Sequence, residues 1–160
     1  MDAPTLAKSL AIPSSFLLSS YNFVFSQNVI PHLYQTPPSI STPIFAKIYN
    51  IGASTIAPMA ASAILAYGYL SYTSTESSKR TAYATSAALT FGTLLWTMTR
   101  MKPGINRLIE ISGSQQALGK TGVEKEVVWL LKAWAGQNTF RASLHLTAGV
   151  LGYWAVLSAR

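Results

Sequence analysis

The sequence contains no cysteine, which excludes disulfide bonds, thiolate catalysis and cysteine-ligated metal centres. It also has little charge: 11% of its 160 residues are charged, where soluble domains have about 25%. Acidic residues are scarcest, five against twelve Lys and Arg, so the formal net charge is +7. The basic residues form no dense tract and no known binding motif, so this charge does not indicate nucleic acid as a partner.

Four long windows lack Asp, Glu, Lys and Arg: 9–46, 48–75, 81–99 and 142–159. Apolar residues make up 49% of the chain. A helix that crosses a bilayer needs about 20 mostly apolar residues, and each window holds or nearly holds that many. The sequence therefore predicts an all-α fold, a bundle of four transmembrane helices in a single membrane-embedded domain over 1–160. The four spans are expected near residues 10–31, 51–72, 82–100 and 140–158.

Prolines near the connections between the spans predict where helices end. Pro31 is expected to end the first helix, and 31–43 is typical of an irregular loop. Pro103 is expected to break the third helix, with a short helix over 105–111 after it. An amphipathic helix near 122–135 follows, and we expect it to lie on the membrane surface or cap the bundle. Its apolar face would comprise Val123, Val127, Leu130, Leu131 and Trp134.

The distribution of basic residues predicts the orientation in the membrane. Eight of them flank the connections between helices one and two and between helices three and four: Lys47, Arg100, Lys102, Arg107, Lys120, Lys125, Lys132 and Arg141. Cytosolic connections of membrane proteins carry an excess of Lys and Arg, so this face is expected to be cytosolic, with both termini opposite. Aromatic residues near the end of the second span (Tyr67, Tyr69, Tyr72) suit a belt at the membrane interface.

Trp134, Asn138, Arg141 and His145 are spaced 4, 3 and 4 apart. In one helix these side chains would fall within about 60° of a single stripe. Arg141 and His145 stand at the entrance of the charge-free window 142–159, where ionisable groups are costly and are functional candidates. The stripe is continuous only if the helix does not break at 136–137.

Each of these residues also has a simpler interpretation. Asn138 could be the N-cap of the fourth helix, and Arg141 could extend along the helix to reach the membrane surface. His145 could be a neutral, hydrogen-bonded structural residue, and Asn106 an ordinary turn or cap residue. His32 and His145 are the only histidines, and the predicted spans contain no carboxylate, so we expect no metal site.

Two short motifs resemble those of a known family. Pro-x-x-Asn (Pro103, Asn106) follows the predicted third helix, and Trp-x-x-x-Asn-x-x-Arg (Trp134, Asn138, Arg141) precedes the fourth. Placed among four apolar helices, they resemble the anthrone oxygenase family, small membrane proteins of fungal polyketide pathways with bacterial relatives. The resemblance covers about residues 50–158, so it assigns no role to the first helix.

The resemblance implies a monooxygenase that oxidises an anthrone to an anthraquinone with O₂ and no added cofactor. Such a site needs a base, donors for a developing oxyanion and a dry aromatic pocket. We expect His145 to be the base, with His32 as second choice. The remaining expected roles are polarisation of the substrate oxygens by Arg141, Asn138 and Asn106, and stacking by Trp134, Trp96 and Tyr153.

The expected partners are a hydrophobic polycyclic substrate and membrane lipid, in an intracellular membrane of the endoplasmic-reticulum type; self-association is left open. The alternative is a non-catalytic membrane scaffold or a protein that binds lipid or another hydrophobic ligand, with the polar stripe serving helix packing. A transporter fits least, because the spans contain no carboxylate and the sequence has no inverted repeat.

Overall fold

The computed structural model of the protein describes residues 1–158, and these are almost entirely helical, with no strand among them. The all-α prediction is therefore confirmed. In chain order the helices are α1 (Ala3–Val24), α2 (Ile30–Leu33), α3 (Pro38–Thr73), α4 (Ser77–Trp96), α5 (Lys102–Ser112), α6 (Gln115–Leu118) and α7 (Val123–Leu157). Segments Phe25–Val29 and Thr97–Met101 are π-helical and continue α1 into α2 and α4 into α5.

Each π-helical segment ends two residues before a proline. Ile30 N–H donates to the Phe25 carbonyl before Pro31, and Lys102 N–H donates to the Thr97 carbonyl before Pro103. Proline lacks an N–H and its ring clashes with the carbonyl four residues earlier, and the wider π turn relieves that clash. The expectation that Pro31 and Pro103 end their helices is therefore wrong, because both prolines occupy the first turn of the helical segment that follows.

Two further boundaries differ from the sequence prediction. The irregular region is confined to residues 34–37, because α3 begins at Pro38 and continues through Pro43 and Pro58. The predicted amphipathic helix and fourth span form one uninterrupted α7 of 35 residues, with Gly136 and Gln137 in helical conformation. A glycine inside a helix costs only about 1 kcal/mol, and the buried residues on both sides of Gly136 outweigh that cost.

The four long helices form an up-and-down bundle. α1 packs most extensively on α3 and α7, and α4 also packs on α3 and α7. One end contains a cluster of small and aromatic residues, including Ala11, Tyr67, Tyr83 and Ala155. The other end holds a larger apolar cluster in which the first half of α7 packs on α5. The predicted apolar face of α7 is confirmed in full, because Val123, Val127, Leu130, Leu131 and Trp134 all belong to this cluster.

The membrane prediction is supported for one helix. Among the helices of residues 1–158, only α3 is long and apolar enough to cross a membrane by length and composition, with a mean hydropathy of 1.3 in its best window. The other long helices fall below that level. The four-span bundle is therefore not established.

Candidate functional site

The stripe predicted on α7 lies in the interior of the bundle. Its four side chains are nearly inaccessible, with exposed fractions of 8% for Trp134, 1% for Asn138, 8% for Arg141 and 0% for His145. Because α7 is continuous, they project from one rigid element toward α1, α3 and α4. Asn138 is the sixteenth residue of α7, so its interpretation as a helix N-cap is wrong.

Asn138 joins α7 to α1 through a buried hydrogen-bond network. Its Nδ2 donates to the Asn22 carbonyl at 2.8 Å and to Ser26 Oγ at 3.0 Å, and Ser26 Oγ donates to the same carbonyl. This carbonyl lies at the entry to the π-helical segment Phe25–Val29, where the regular α-helical pattern changes. The network fixes the orientation of the Asn138 amide, so that its Oδ1 faces Arg141.

Arg141 is held by contacts that do not neutralise it. One terminal nitrogen donates to Asn138 Oδ1 at 3.2 Å and lies 4.0 Å from Met101 Sδ. Its Nε is buried without a hydrogen-bond partner in residues 1–158, and none of the ion pairs in that range includes it. The side chain is buried in the protein rather than extended to the surface, which argues against a snorkelling role. A buried guanidinium without an ion-pair partner in this range is costly, and such a group is a candidate for a functional site.

Trp134, Asn138 and Arg141 line an apolar cavity of about 300 Å³. All four long helices contribute to its wall. The remaining lining residues are Tyr21, Asn22, Phe25, Ile48, Tyr49, Gly52, Ala53, Ile56, Ala57, Leu94, Thr97 and Met98. The volume lies at the lower end of the range of about 300–1,000 Å³ usual for small-molecule sites. Tyr21 reaches across to α3 at Gly52, where an added Cβ would lie 3.3 Å from the tyrosine hydroxyl.

His145 lies one turn beyond Arg141 and does not line this cavity. It is fully buried, and neither ring nitrogen has a hydrogen-bond partner in the described part of the chain. The α7 carbonyls on either side accept side-chain hydrogen bonds: Ala142 from Ser19, and Ala148 from Tyr67 and Ser86. His145 is therefore enclosed where three helices are bonded to α7.

The structure does not bring the other predicted site residues to the cavity. His32 on α2 and Asn106 on α5 are exposed. Trp96 is half-buried against Phe140, with the ring centroids 4.7 Å apart, and Tyr153 is 53% exposed. Trp96 and Tyr153 are absent from the cavity lining because they project from faces of α4 and α7 that point away from it.

Sequence reasoning missed the contributions of α1 and α3. Asn22 and Ser26 are polar, four residues apart and inside a charge-free window, a pattern that marks a buried polar face. Tyr21 and Tyr49 carry no comparable signal, since the cavity they line exists only after the helices pack. A larger surface groove, about 560 Å³, lies between residues 34–38 and the outer face of α7 and contains none of the motif residues.

The fold and the site define the class of protein: an all-helical bundle with an arginine and an amide facing an apolar cavity. Residues 45–151 match the family described as anthrone oxygenase, and the chain belongs to that family. A curated relative, anthrone oxygenase encC from Aspergillus fumigatus, is 27% identical over 168 aligned positions, covering 95% of this chain and 93% of the relative. No solved structure matches the chain. The resemblance inferred from the two motifs is thereby confirmed.

Proposed function

We propose that the protein is a monooxygenase that oxidises a polyketide anthrone to an anthraquinone with O₂, without an added cofactor, in secondary metabolism. The observation that carries the proposal is the cavity itself. The motif residues Trp134, Asn138 and Arg141, spaced 4 and 3 apart on α7, all face the same apolar space. Membership of the family and the 27% identical relative support an oxygenase of this type.

The cavity suits a flat, hydrophobic, oxygen-bearing molecule. Trp134, Tyr21, Phe25 and Tyr49 provide aromatic surface, which favours stacked or edge contacts with a polycycle. Among residues 1–158, Arg141 is the only cation in the lining, and it would donate to a substrate oxygen. Asn138 supports Arg141 through its Oδ1 and is itself held by α1. Fixed donors of this kind stabilise an oxyanion at little reorganisation cost.

The proposed reaction balances with O₂ as the only oxidant. The central methylene of an anthrone loses one proton, and its electron pair is delocalised over the rings onto the ketone oxygen. That carbanion transfers electrons to O₂ and forms a carbon–oxygen bond, and a proton completes a hydroperoxide. Loss of water across the remaining C–H and the O–O bond leaves the second quinone carbonyl. One oxygen atom enters the product and the other leaves as water.

A variant can identify the residue that accepts the proton from the anthrone methylene. His145 is the proposed base because it is the imidazole nearest to Arg141 along α7, whereas His32 is exposed on α2. Since His145 does not line the cavity, it would need a relay to reach the methylene. Loss of activity in His145→Gln supports this role, and full activity assigns the proton to another acceptor.

We also propose that the four long helices cross an intracellular membrane of the endoplasmic-reticulum type, with the charged first half of α7 at the membrane surface or capping the bundle. Large apolar side chains are exposed on each of them, for example Leu17 on α1, Leu65 on α3, Leu95 on α4 and Val150 on α7. A surface of this kind on every side of a bundle suits lipid better than water. A hydrophobic polycycle would reach the site from the same bilayer.

The test is oxidation of an anthrone, such as emodin anthrone, by membranes containing the protein, with and without O₂. Quinone formation is followed against the spontaneous rate in protein-free membranes. We expect the wild type to exceed that rate and Arg141→Ala to lose about 100-fold or more of the excess. A wild type that adds nothing to the spontaneous rate contradicts the oxygenase and favours a scaffold or a hydrophobic-ligand-binding protein.

Two tryptophans on α7 give a matched control. Trp134 lines the cavity, whereas Trp129 is 67% exposed on the outer face. We expect Trp134→Ala to reduce anthrone oxidation about tenfold through lost aromatic contact, and Trp129→Ala to leave it unchanged. Equal effects from both variants contradict the assignment of the cavity as the reaction site.

A further inference from the structure

Arg141 is a buried cation that forms no ion pair with any acidic group of residues 1–158. It is 8% exposed, and its recorded partners are a neutral amide oxygen and a thioether sulfur. Burying a charge without a counter-ion is costly, and an unpaired buried cation is therefore a candidate to bind a ligand of opposite sign. The unpartnered Nε is a second donor available in the same guanidinium.

The other helices bring no acidic group to this position. α1 presents Tyr21 and Asn22, α3 presents Tyr49, and the π-helical segment after α4 presents Thr97 and Met101. On α7 the nearest groups are Asn138 and His145. No Asp or Glu lines the cavity in residues 1–158. The walls of the cavity are therefore apolar, and the guanidinium of Arg141 places a positive charge at them.

We propose that this cavity binds its ligand as an anion: a planar polycyclic phenol or enol in ionised form, with Arg141 as the counter-ion. The inference rests on the proposed function in taking an anthrone as the natural ligand. It deepens that function by restricting the substrates to polycycles with an acidic hydroxyl or an acidic methylene conjugated to a carbonyl. A neutral polycycle of the same size would leave the guanidinium unpaired.

Binding the substrate as an anion also makes it easier to remove the proton from its methylene. In the anthrone, the methylene C–H bond breaks, the proton leaves to water or a protein base, and the electron pair is delocalised onto the oxygen facing Arg141. An opposite charge within about 4–6 Å lowers the pKa of an acid by about 1–3 units. Arg141 would therefore favour the ionised substrate in the bound state whichever group accepts the proton.

The experiment uses two coloured probes that the proposed reaction does not consume. 2-Hydroxyanthraquinone changes its visible spectrum when its phenol ionises, and 2-methoxyanthraquinone has the same ring system and cannot ionise. Full-length protein in neutral-lipid vesicles is titrated with pH in the presence of each probe. Protein-free vesicles of the same lipid correct for partition of the probes into the bilayer.

With the wild type, we expect the bound hydroxy probe to ionise at a pH about 1–3 units below that of the probe in empty vesicles. It should also bind about tenfold or more tightly than the methoxy probe at a pH where it is ionised. Arg141→Gln should abolish the spectral shift, and Arg141→Lys should retain part of it. Lys47→Gln, which removes an exposed positive charge from α3, should leave the shift intact.

Ionisation of the bound probe at the same pH as in empty vesicles overturns the proposal, as does equal affinity for the two probes. Should Arg141→Gln fail to fold, the wild-type comparison of hydroxy and methoxy probes still decides. The readout does not depend on turnover. A spectral shift without anthrone oxidation supports an anion-binding cavity and contradicts the oxygenase, whereas oxidation without a shift contradicts anion binding alone.

Discussion

Tyr67 shows how one side chain can bond three helices of this bundle together. Its hydroxyl lies 3.1 Å from Ser15 Oγ on α1 and donates to the Ala148 carbonyl on α7 at 3.2 Å. The sequence interpretation of Tyr67 as part of an interfacial belt is wrong, because it is fully buried, whereas Tyr69 and Tyr72 are exposed. The ring packs against α7 at Gly152, where only a residue without a Cβ leaves room.

Gly152→Ala is expected to destabilise the protein. An added Cβ would lie 2.7 Å from the Tyr67 hydroxyl oxygen and 2.8 Å from a ring carbon, so Tyr67 would have to move and weaken its bonds. Overpacking of this kind costs about 1–3 kcal/mol. Thermal unfolding in detergent should show a lower Tm.

Gly136→Ala is the matched control in the same helix, since an added Cβ there meets nothing within 4 Å. Its Tm should stay the same or rise slightly because alanine favours the helix. A Gly152→Ala protein as stable as the wild type would contradict the close packing of Tyr67 on α7.

At the scale of elements, α7 performs two tasks in one continuous helix. Its first half packs on α5 in the apolar cluster, and its second half carries the polar stripe into the bundle. An ion pair secures the first half: Glu126 accepts from Arg107 Nε at 2.7 Å and from Nη2 at 3.1 Å. Hydrogen bonding to Arg107 lowers the pKa of Glu126, and the same contact, followed by Glu110, raises the pKa of Arg107.

Glu126→Gln is expected to lower Tm at neutral pH because it removes a bidentate pair between α5 and α7. The pKa of Glu126 is lower in the folded protein than its ordinary value of 4.5. Its contribution is therefore present above that value and is lost as pH falls through the folded pKa. Tm measured across pH should show the difference between wild type and variant closing as the solution becomes more acidic than this.

Glu124→Gln serves as the control, because Glu124 is an exposed acid of the same first turn and belongs to none of the ion pairs in residues 1–158. It should change Tm less than Glu126→Gln at neutral pH. A difference between wild type and Glu126→Gln that does not shrink as the pH falls below 4.5 would contradict the role of the ion pair.

At the scale of the whole molecule, the bundle places both ends of the described chain at the same end. The cluster that contains Ala7 from α1 and Ala155 from α7 also contains residues from the end of α3 and the start of α4. The opposite end carries α5, α6 and the first half of α7. Lys47, expected in a connection, belongs to α3. The predicted orientation places the end with α5 and α6 in the cytosol.

Single-cysteine labelling can test this orientation without background, because the chain has no cysteine of its own. Gln116→Cys on α6 and Thr75→Cys between α3 and α4 are both exposed and lie at opposite ends of the bundle. In sealed vesicles with the cytosolic face outside, a membrane-impermeant maleimide should label Gln116→Cys, and Thr75→Cys only after detergent is added. Labelling of both before detergent would contradict a bundle that spans the bilayer.

The sequence by itself determined the all-helical class, the family and the inward stripe on α7. These follow from local information: charge-free windows, 3.6-residue periodicity and two short motifs whose residues lie close in sequence. The apolar face of α7 was likewise predicted in full from its spacing. Such patterns are set within one helix, so no knowledge of the neighbouring helices was needed to find them.

The tertiary structure alone decided which of the candidate residues share a cavity. Arg141, Asn138 and Trp134 meet Tyr21 and Tyr49 there, whereas Asn106, His32, Trp96 and Tyr153 point elsewhere and His145 lies one turn beyond. Packing also decided that α7 does not break at Gly136. Helical structure likewise continues through Pro31 and Pro103 after the two π-helical segments, where the sequence predicts that helices end. The physical reason is that burial against other helices outweighs local propensities of about 1 kcal/mol, and a cavity is a property of several helices together.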